Sequence, residues 1–125
     1  MFLKKNTMKL KYFIPVFLLF SFVLSEIQKG KASYYSKSMN GRRTYSGEIY
    51  YNDSMTAAHN SLKMGSWVRV TNLKNDSVVV VKINDRMSPR SSRIIDLSYG
   101  AAERLNFIRD GLANVTLEVI QVPTN

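Results

Sequence analysis

Three carboxylates stand where a stiff scaffold could present them. Asp85 ends the apolar, β-branched run Ser77–Asn84 and is followed directly by Arg86. Glu48 lies in a polar stretch that also holds Gly41 and Gly47, and Asp96 sits between Ile94-Ile95 and Ser98. Polar residues at strand ends and in long loops are common sites of binding and catalysis. A pair of carboxylates suits the breaking of a glycosidic bond. The leaving oxygen needs a proton, and an oxocarbenium-like transition state needs negative charge nearby. The acid must hold its proton near neutral pH, which takes partial burial or a second carboxylate. Spacing alone leaves the plainer readings open. Asp85 and Arg86 could pair or cap a turn, and Asp96 could favour a helix N-terminus.

Other chemistries find little material. The 125 residues contain no cysteine and one histidine, His59. That removes a thiolate nucleophile, a lipid-attachment thiol, a Cys-ligated zinc site and a His-rich metal site. No Gly-rich phosphate loop or serine nucleophile elbow occurs, so neither a metal nor a cofactor is expected. His59, on a segment of small residues, reads either as a hydrogen-bonded structural histidine or as a polar partner in a cleft. Tyr34, Tyr35, Tyr45, Tyr50 and Tyr51 cluster around the polar stretch. An aromatic cluster left exposed there would offer flat faces to a sugar chain. Trp67 could join it as a stacking platform or pack in the core.

The elements that must hold these residues are short. Lys29–Tyr35 reads as a strand, and Ser36–Asp53 as a long loop of the kind that is often functional. Met55–His59 could be a strand, and Leu62–Gly65 a turn. Trp67–Thr71 alternates, Asn72–Asp76 is a turn by composition, and Ser77–Asn84 returns, which makes a β-hairpin. The run in Ser77–Asn84 suits a strand buried on both faces. Ser98 is a candidate N-cap for one short helix, with Leu97, Ala101 and Leu105 four apart on one face. Val115, Leu117 and Val119 alternate in a terminal strand. Short strands with one helix point to an all-β domain, a small β-barrel, whose closure also removes open edges.

The first 25 residues read as a signal peptide. Lys4, Lys5, Lys9 and Lys11 form a basic n-region, Tyr12–Leu24 is mostly apolar, and Val23 and Ser25 suit a cleavage site. The apolar run is shorter than the roughly 20 residues that span a bilayer. Residues 26–125 then form one domain, expected to be exported, monomeric and without a membrane anchor once the leader is cut. The net charge of +9 falls to +5 for this part, because four of the 18 basic residues and none of the nine acids precede Glu26. A moderately basic exported domain suits an anionic envelope. Nucleic acid is not expected, since no stretch shows dense basic clustering with stacking aromatics.

Taken together, ordered stretches of the chain resemble the rare lipoprotein A family of cell-wall proteins. They are Gly30-Lys31-Ala32-Ser33-Tyr34-Tyr35, Gly41-Arg42-Arg43-Thr44 with Ser46-Gly47-Glu48, Thr56-Ala57-Ala58-His59, Val68-Arg69-Val70-Thr71-Asn72, Val80-Val81-Lys82-Ile83-Asn84-Asp85-Arg86 and Arg93-Ile94-Ile95-Asp96-Leu97-Ser98. The resemblance implies a double-psi β-barrel of six strands and lytic cleavage of peptidoglycan glycan strands. By position it makes Asp85 the catalytic acid, Glu48 the second carboxylate and His59 a polar partner in the same cleft. Tyr34, Tyr35, Trp67 and Arg86 are the expected substrate-binding residues. In such a reaction one carboxyl group protonates the leaving oxygen and then takes a proton from the sugar's own 6-hydroxyl, closing a 1,6-anhydro ring. Met87-Ser88-Pro89 after Arg86 departs from the family's usual Gly-Pro. The alternative is an expansin-like module on the same barrel that binds wall polysaccharide without cutting it. Amino-terminal sequencing of the exported protein should give a mature chain starting at or near Glu26; a chain still starting at Met1 would contradict cleavage and favour the alternative, an uncleaved N-terminal anchor.

Overall fold

The structure is a computed structural model that describes residues 26–124. The expected signal peptide, residues 1–25, lies outside the described residues. Among these there are six strands: β1 (Ile27–Tyr34), β2 (Thr56–Ala58), β3 (Trp67–Asn72), β4 (Val78–Asp85), β5 (Ile95–Leu97) and β6 (Ala113–Gln121). A single 3₁₀ turn covers Lys37–Met39, and one helix, α1, covers Tyr99–Arg104. No helix among the described residues is long and apolar enough to cross a membrane.

The strands close into a barrel in the order β1-β5-β2-β4-β3-β6. β3 and β4 form the expected antiparallel hairpin, with Trp67 opposite Lys82 and Val70 opposite Val79. β1 runs parallel to β5, and β2 parallel to β4. Parallel neighbours need a crossover rather than a tight turn. The long connections after β1 and β4 each join strands that are next but one in the barrel, passing over the strand between, and both carry candidate site residues. β5 was legible in the sequence only as the apolar pair Ile94-Ile95; three residues are too few to show a period.

Strand alternation fills the barrel from inside. Ala32, Ala57, Val68, Val70, Val81, Ile83, Ile95, Leu97, Val115 and Leu117 are all buried. Each fully buried aliphatic side chain is worth roughly 1.5–3 kcal/mol. β4 departs from the expected burial on both faces: Val79, Val81 and Ile83 point inward, while Val78 and Val80 stay 49% and 36% exposed. Its outer face carries valine because branched side chains suit a pleated surface, whether or not that surface is covered.

α1 plugs one end of the core. Ser98 caps it, accepting the Ala101 N–H at 3.1 Å, and Leu97, Ala101 and Leu105 are each 0% exposed. At its other end the Leu105 carbonyl accepts bonds from Asn72 Nδ2, Asn75 Nδ2 and Ser77 Oγ. The hairpin turn thus supplies the donors that a helix C-terminus lacks.

Gly100, inside α1, decides how closely the long loop approaches. Its N–H donates to the Asn52 carbonyl at 2.7 Å, and a Cβ there would lie 2.8 Å from that oxygen. Helix propensity favours Ala over Gly by about 1 kcal/mol, but this contact is with backbone, which cannot rotate away. Gly100→Ala should therefore lower stability by about 1–3 kcal/mol, the scale of overpacking. Urea unfolding of both forms checks the sign.

Candidate active site

Asp85 occupies the last position of β4, where the barrel wall gives way to loop. Its carboxylate takes three donors from three parts of the chain. Oδ1 accepts the backbone N–H of Arg86 and of Tyr45, each at 2.9 Å. Oδ2 accepts the phenol O–H of Tyr35. The bond to Tyr45 folds the long loop over the strand end. The loop is closed on itself by a bridge between Arg43 and Ile49 and by the Thr44 N–H on the Glu48 carbonyl at 2.8 Å. The Ser46 N–H also reaches the Asn84 carbonyl at 3.1 Å.

Glu48 sits on the far side of that loop turn. Its Oε2 accepts from Lys82 Nζ at 2.7 Å. The pair is partly solvated, so it orients the carboxylate more than it stabilises the fold. Glu48, Tyr51, Trp67, Lys82 and Asn84 line a groove of about 620 Å³; Asp85, next in the chain after Asn84, is not among its lining residues. Trp67 is 36% exposed and stands opposite Lys82, so its indole is available on this wall.

His59 is 4% exposed. Its Nδ1 accepts the backbone N–H of Ser61 and of Leu62, both at 3.1 Å. The proton is thereby placed on Nε2, which donates to Gln28 Oε1 at 3.0 Å. Both ring nitrogens are engaged, and the ring acts as a brace for residues 59–62. Burial first, and then the Arg86 charge, lower the His59 pKa below its ordinary value.

Arg86 serves the same brace. Its Nη1 donates to the His59 carbonyl at 2.5 Å and the Leu62 carbonyl at 2.6 Å, and the guanidinium lies 5.8 Å from the Tyr45 ring centre.

The tyrosines divide between core and surface. Tyr34 and Tyr35 are consecutive on a strand path and so face opposite ways. Tyr34 packs edge-on against Tyr99 and Phe107, and its O–H donates to the Ile108 carbonyl at 2.6 Å. It is not brought to the Asp85 end with Tyr35. Tyr35 stacks on Tyr50 at 4.6 Å. Tyr50 is buried, and its hydroxyl accepts the Tyr99 N–H at 3.0 Å. Among the described tyrosines only Tyr45 and Tyr51 are strongly exposed.

Asp96 differs from its reading as a helix-end charge. Its carboxylate accepts from Ser33 Oγ at 2.5 Å and from Arg93 Nε at 2.8 Å. The parallel register of β1 and β5 sets Ser33 beside Asp96. Ser33 comes from the neighbouring strand and Lys82 reaches Glu48 from β4, whereas Arg93 lies only three residues before Asp96. Period-2 alternation could have separated Ser33 and Tyr35 from Tyr34, but cross-strand register is invisible in a single sequence.

A family described as lytic transglycolase, a double-psi β-barrel family, matches residues 27–117. The chain belongs to this family. It is 50% identical over 95 residues to the endolytic peptidoglycan transglycosylase RlpA of Vibrio cholerae, covering 76% of this chain and 36% of that protein. It is 48% identical over 93 residues to the protein of the same name from Pasteurella multocida, covering 74% of this chain and 32% of that one. The chain thus spans about a third of the length of these curated relatives. Two solved structures share the barrel. The Streptomyces papain inhibitor has a TM-score of 0.63 at 20% identity, over 77% of this chain and 96% of its own. The Clavibacter michiganensis expansin has a TM-score of 0.63 at 21% identity, over 80% and 53%. These likenesses are of fold alone. The six-stranded barrel is the double-psi barrel that the resemblance implied.

The buried, neutral His59 gives a pH dependence with a definite sign. Its folded-state pKa lies below the unfolded value of about 6.5. Between the two values the unfolded chain binds the extra proton, so stability rises with pH. The contribution is complete above about pH 6.5 and is lost as pH falls toward the lowered folded value. His59→Asn should weaken the fold at pH 7.5 and show a smaller further loss at pH 5.5 than the parent does. Urea titrations at the two pH values measure both slopes.

Proposed function

We propose that this domain cleaves peptidoglycan glycan strands by lytic transglycosylation at the cell envelope. The observation that carries the reading is the match of residues 27–117 to a lytic transglycolase family. Asp85 supplies a carboxyl group at a strand end, oriented by three donors, and its chain neighbour Asn84 lines a groove with Trp67 and a second carboxylate, Glu48. The glycan lies along this groove, with Trp67 against a sugar face. Asp85 gives its proton to the glycosidic oxygen. The sugar on the other side of the broken bond develops oxocarbenium character, which the Glu48 carboxylate steadies. Asp85 then takes the proton of that sugar's 6-hydroxyl as its oxygen closes on the anomeric carbon. The product ends in a 1,6-anhydro ring, and Asp85 is again protonated. His59 and Arg86 act behind the reacting atoms, holding residues 59–62 against the Asp85 strand end. As proposed, the domain works as an exported monomer on peptidoglycan.

Asp85→Asn keeps the shape and the hydrogen-bond acceptor but cannot carry the proton. Release of 1,6-anhydro fragments from purified glycan strands should fall about 10²–10⁴-fold, while sedimentation with insoluble wall stays at the parent level. Glu48→Gln should reduce release less than Asp85→Asn does. A parent protein that binds wall but releases no anhydro ends would favour the expansin-like reading.

A further inference from the structure

The proton chemistry assigned to Asp85 leaves a negative charge on that carboxylate each time the glycosidic oxygen is protonated. The groups around it differ in how they can respond. The two backbone N–H donors on Oδ1 are fixed by the chain. Oδ2 faces a side chain from a different strand path, the phenol of Tyr35. That phenol is itself immobilised. Its ring lies on Tyr50, with an interplanar angle of 26°, and Tyr50 is anchored by the Tyr99 N–H at the start of α1. The Tyr35 N–H is tied to the Leu97 carbonyl of β5 at 2.9 Å. Backbone, ring and hydroxyl are therefore all held, and the O–H is aimed at one oxygen.

We infer that Tyr35 is the positioning residue for Asp85, its phenol O–H orienting the carboxyl group and stabilising the carboxylate formed when Asp85 has given up its proton. The inference rests on the reading of Asp85 as the acid, and replaces the expected role of Tyr35 as a sugar-stacking face. No proton leaves Tyr35 in this scheme. The proton on the glycosidic oxygen comes from Asp85, and the phenol keeps its own while donating a stronger hydrogen bond to the new charge. Burial, followed by the hydrogen bond to Asp85 and the charge of Asp85, pushes the phenol well above the ordinary tyrosine range, so it remains a donor throughout. A donor whose bond strengthens as charge develops lowers the barrier rather than merely tightening ground-state binding.

The other titratable groups facing the pair have competing partners. Asp96 on β5 acts on Tyr35 by its charge, but its oxygens are taken by Ser33 and Arg93. Arg86 turns its guanidinium to the His59 and Leu62 carbonyls. His59 is bonded at both nitrogens. Tyr50 supplies its ring face to Tyr35 and its hydroxyl to Tyr99. Tyr35 is the side chain that donates to Asp85.

Tyr35→Phe tests this directly, because it keeps the stacked ring and removes one O–H. In the full chain, kcat for release of 1,6-anhydro ends should fall about 10- to 100-fold, the scale of a lost hydrogen bond to a charged group. KM and sedimentation with insoluble wall should stay at the parent level. The limb of the pH–rate profile that disappears in Asp85→Asn should move to higher pH, since a carboxylate deprived of a donor keeps its proton longer. Incorporating 3-fluorotyrosine at position 35, a stronger donor of nearly the same shape, should move that limb to lower pH. It also decides the matter if the phenylalanine variant folds poorly. An unchanged kcat and pH profile in both variants, with Asp85→Asn inactive, would overturn the role of Tyr35 alone. A raised KM at unchanged kcat would return Tyr35 to sugar stacking. Full activity in Asp85→Asn would overturn the acid assignment, and this inference with it.

Discussion

The carboxylate of Asp85 is the knot on which this small domain depends. It joins β4 to a residue 50 positions earlier through Tyr35 and to one 40 positions earlier through Tyr45. The loop from 36 to 54 contains one 3₁₀ turn and an isolated bridge, so little regular structure holds it from within. Its own cross-loop bonds, such as Gly41 N–H to the Tyr50 carbonyl and Tyr50 N–H to the Arg42 carbonyl, close it on itself; Asp85 and the Asn84 carbonyl fix it on one side, and Gly100 with the Tyr50–Tyr99 bond on the other. A partly buried carboxylate with donors on both oxygens is stable there because each lone-pair direction in use has a partner. The same bonds that fold the loop also aim the oxygens. Structure and proposed chemistry draw on one set of contacts.

A second brace stands behind the first. His59 and Arg86 directly follow the C-terminal ends of the parallel strands β2 and β4, side by side, and the His59 N–H is bonded to the Asp85 carbonyl at 3.1 Å. Arg86 then returns to the His59 carbonyl. The imidazole secures two N–H groups of the following turn that would otherwise point into a buried region. A neutral ring suits this place, because a protonated Nδ1 could not accept them. Residues that a chemist would first read as a base and an anion-binding cation are used here to fix backbone.

Much of the scaffold was legible in the sequence. The β3–β4 hairpin, the Ser98 cap, and the Leu97, Ala101 and Leu105 face all follow from local period and turn chemistry, and all are present. Asp85 at a strand end followed from the abrupt close of an apolar run. What failed was information about neighbours. The outer valines of β4 looked like core because composition does not say whether a second layer covers a sheet. Five tyrosines looked like one surface cluster, yet Tyr50 is buried and Tyr34 packs beneath the helix, because facing is set by strand parity and not by proximity in the chain. Asp96 looked like a helix charge because its partner Ser33 lies 63 positions away across a parallel register.

The basic balance of the domain is spread in a way that bears on what the groove can hold. The cations nearest the carboxylates are occupied: Lys82 with Glu48, Arg93 with Asp96, and Arg86 with two carbonyls. Exposed basic side chains such as Lys29 and Arg109 line other clefts of the surface. The surplus charge therefore acts at range, over a screening length of about 8 Å at physiological salt. On the proposed function it draws the domain toward an anionic envelope, while the lysine that lines the groove is paired with Glu48. Inside the groove, Trp67, Tyr51 and Asn84 stand beside the Lys82–Glu48 ion pair, whose two charges offset one another. That division suits a polymer whose reacting sugars are uncharged at the bond to be broken. Attraction and recognition are then carried by different residues, so salt should govern the rate of arrival more than the fit in the groove.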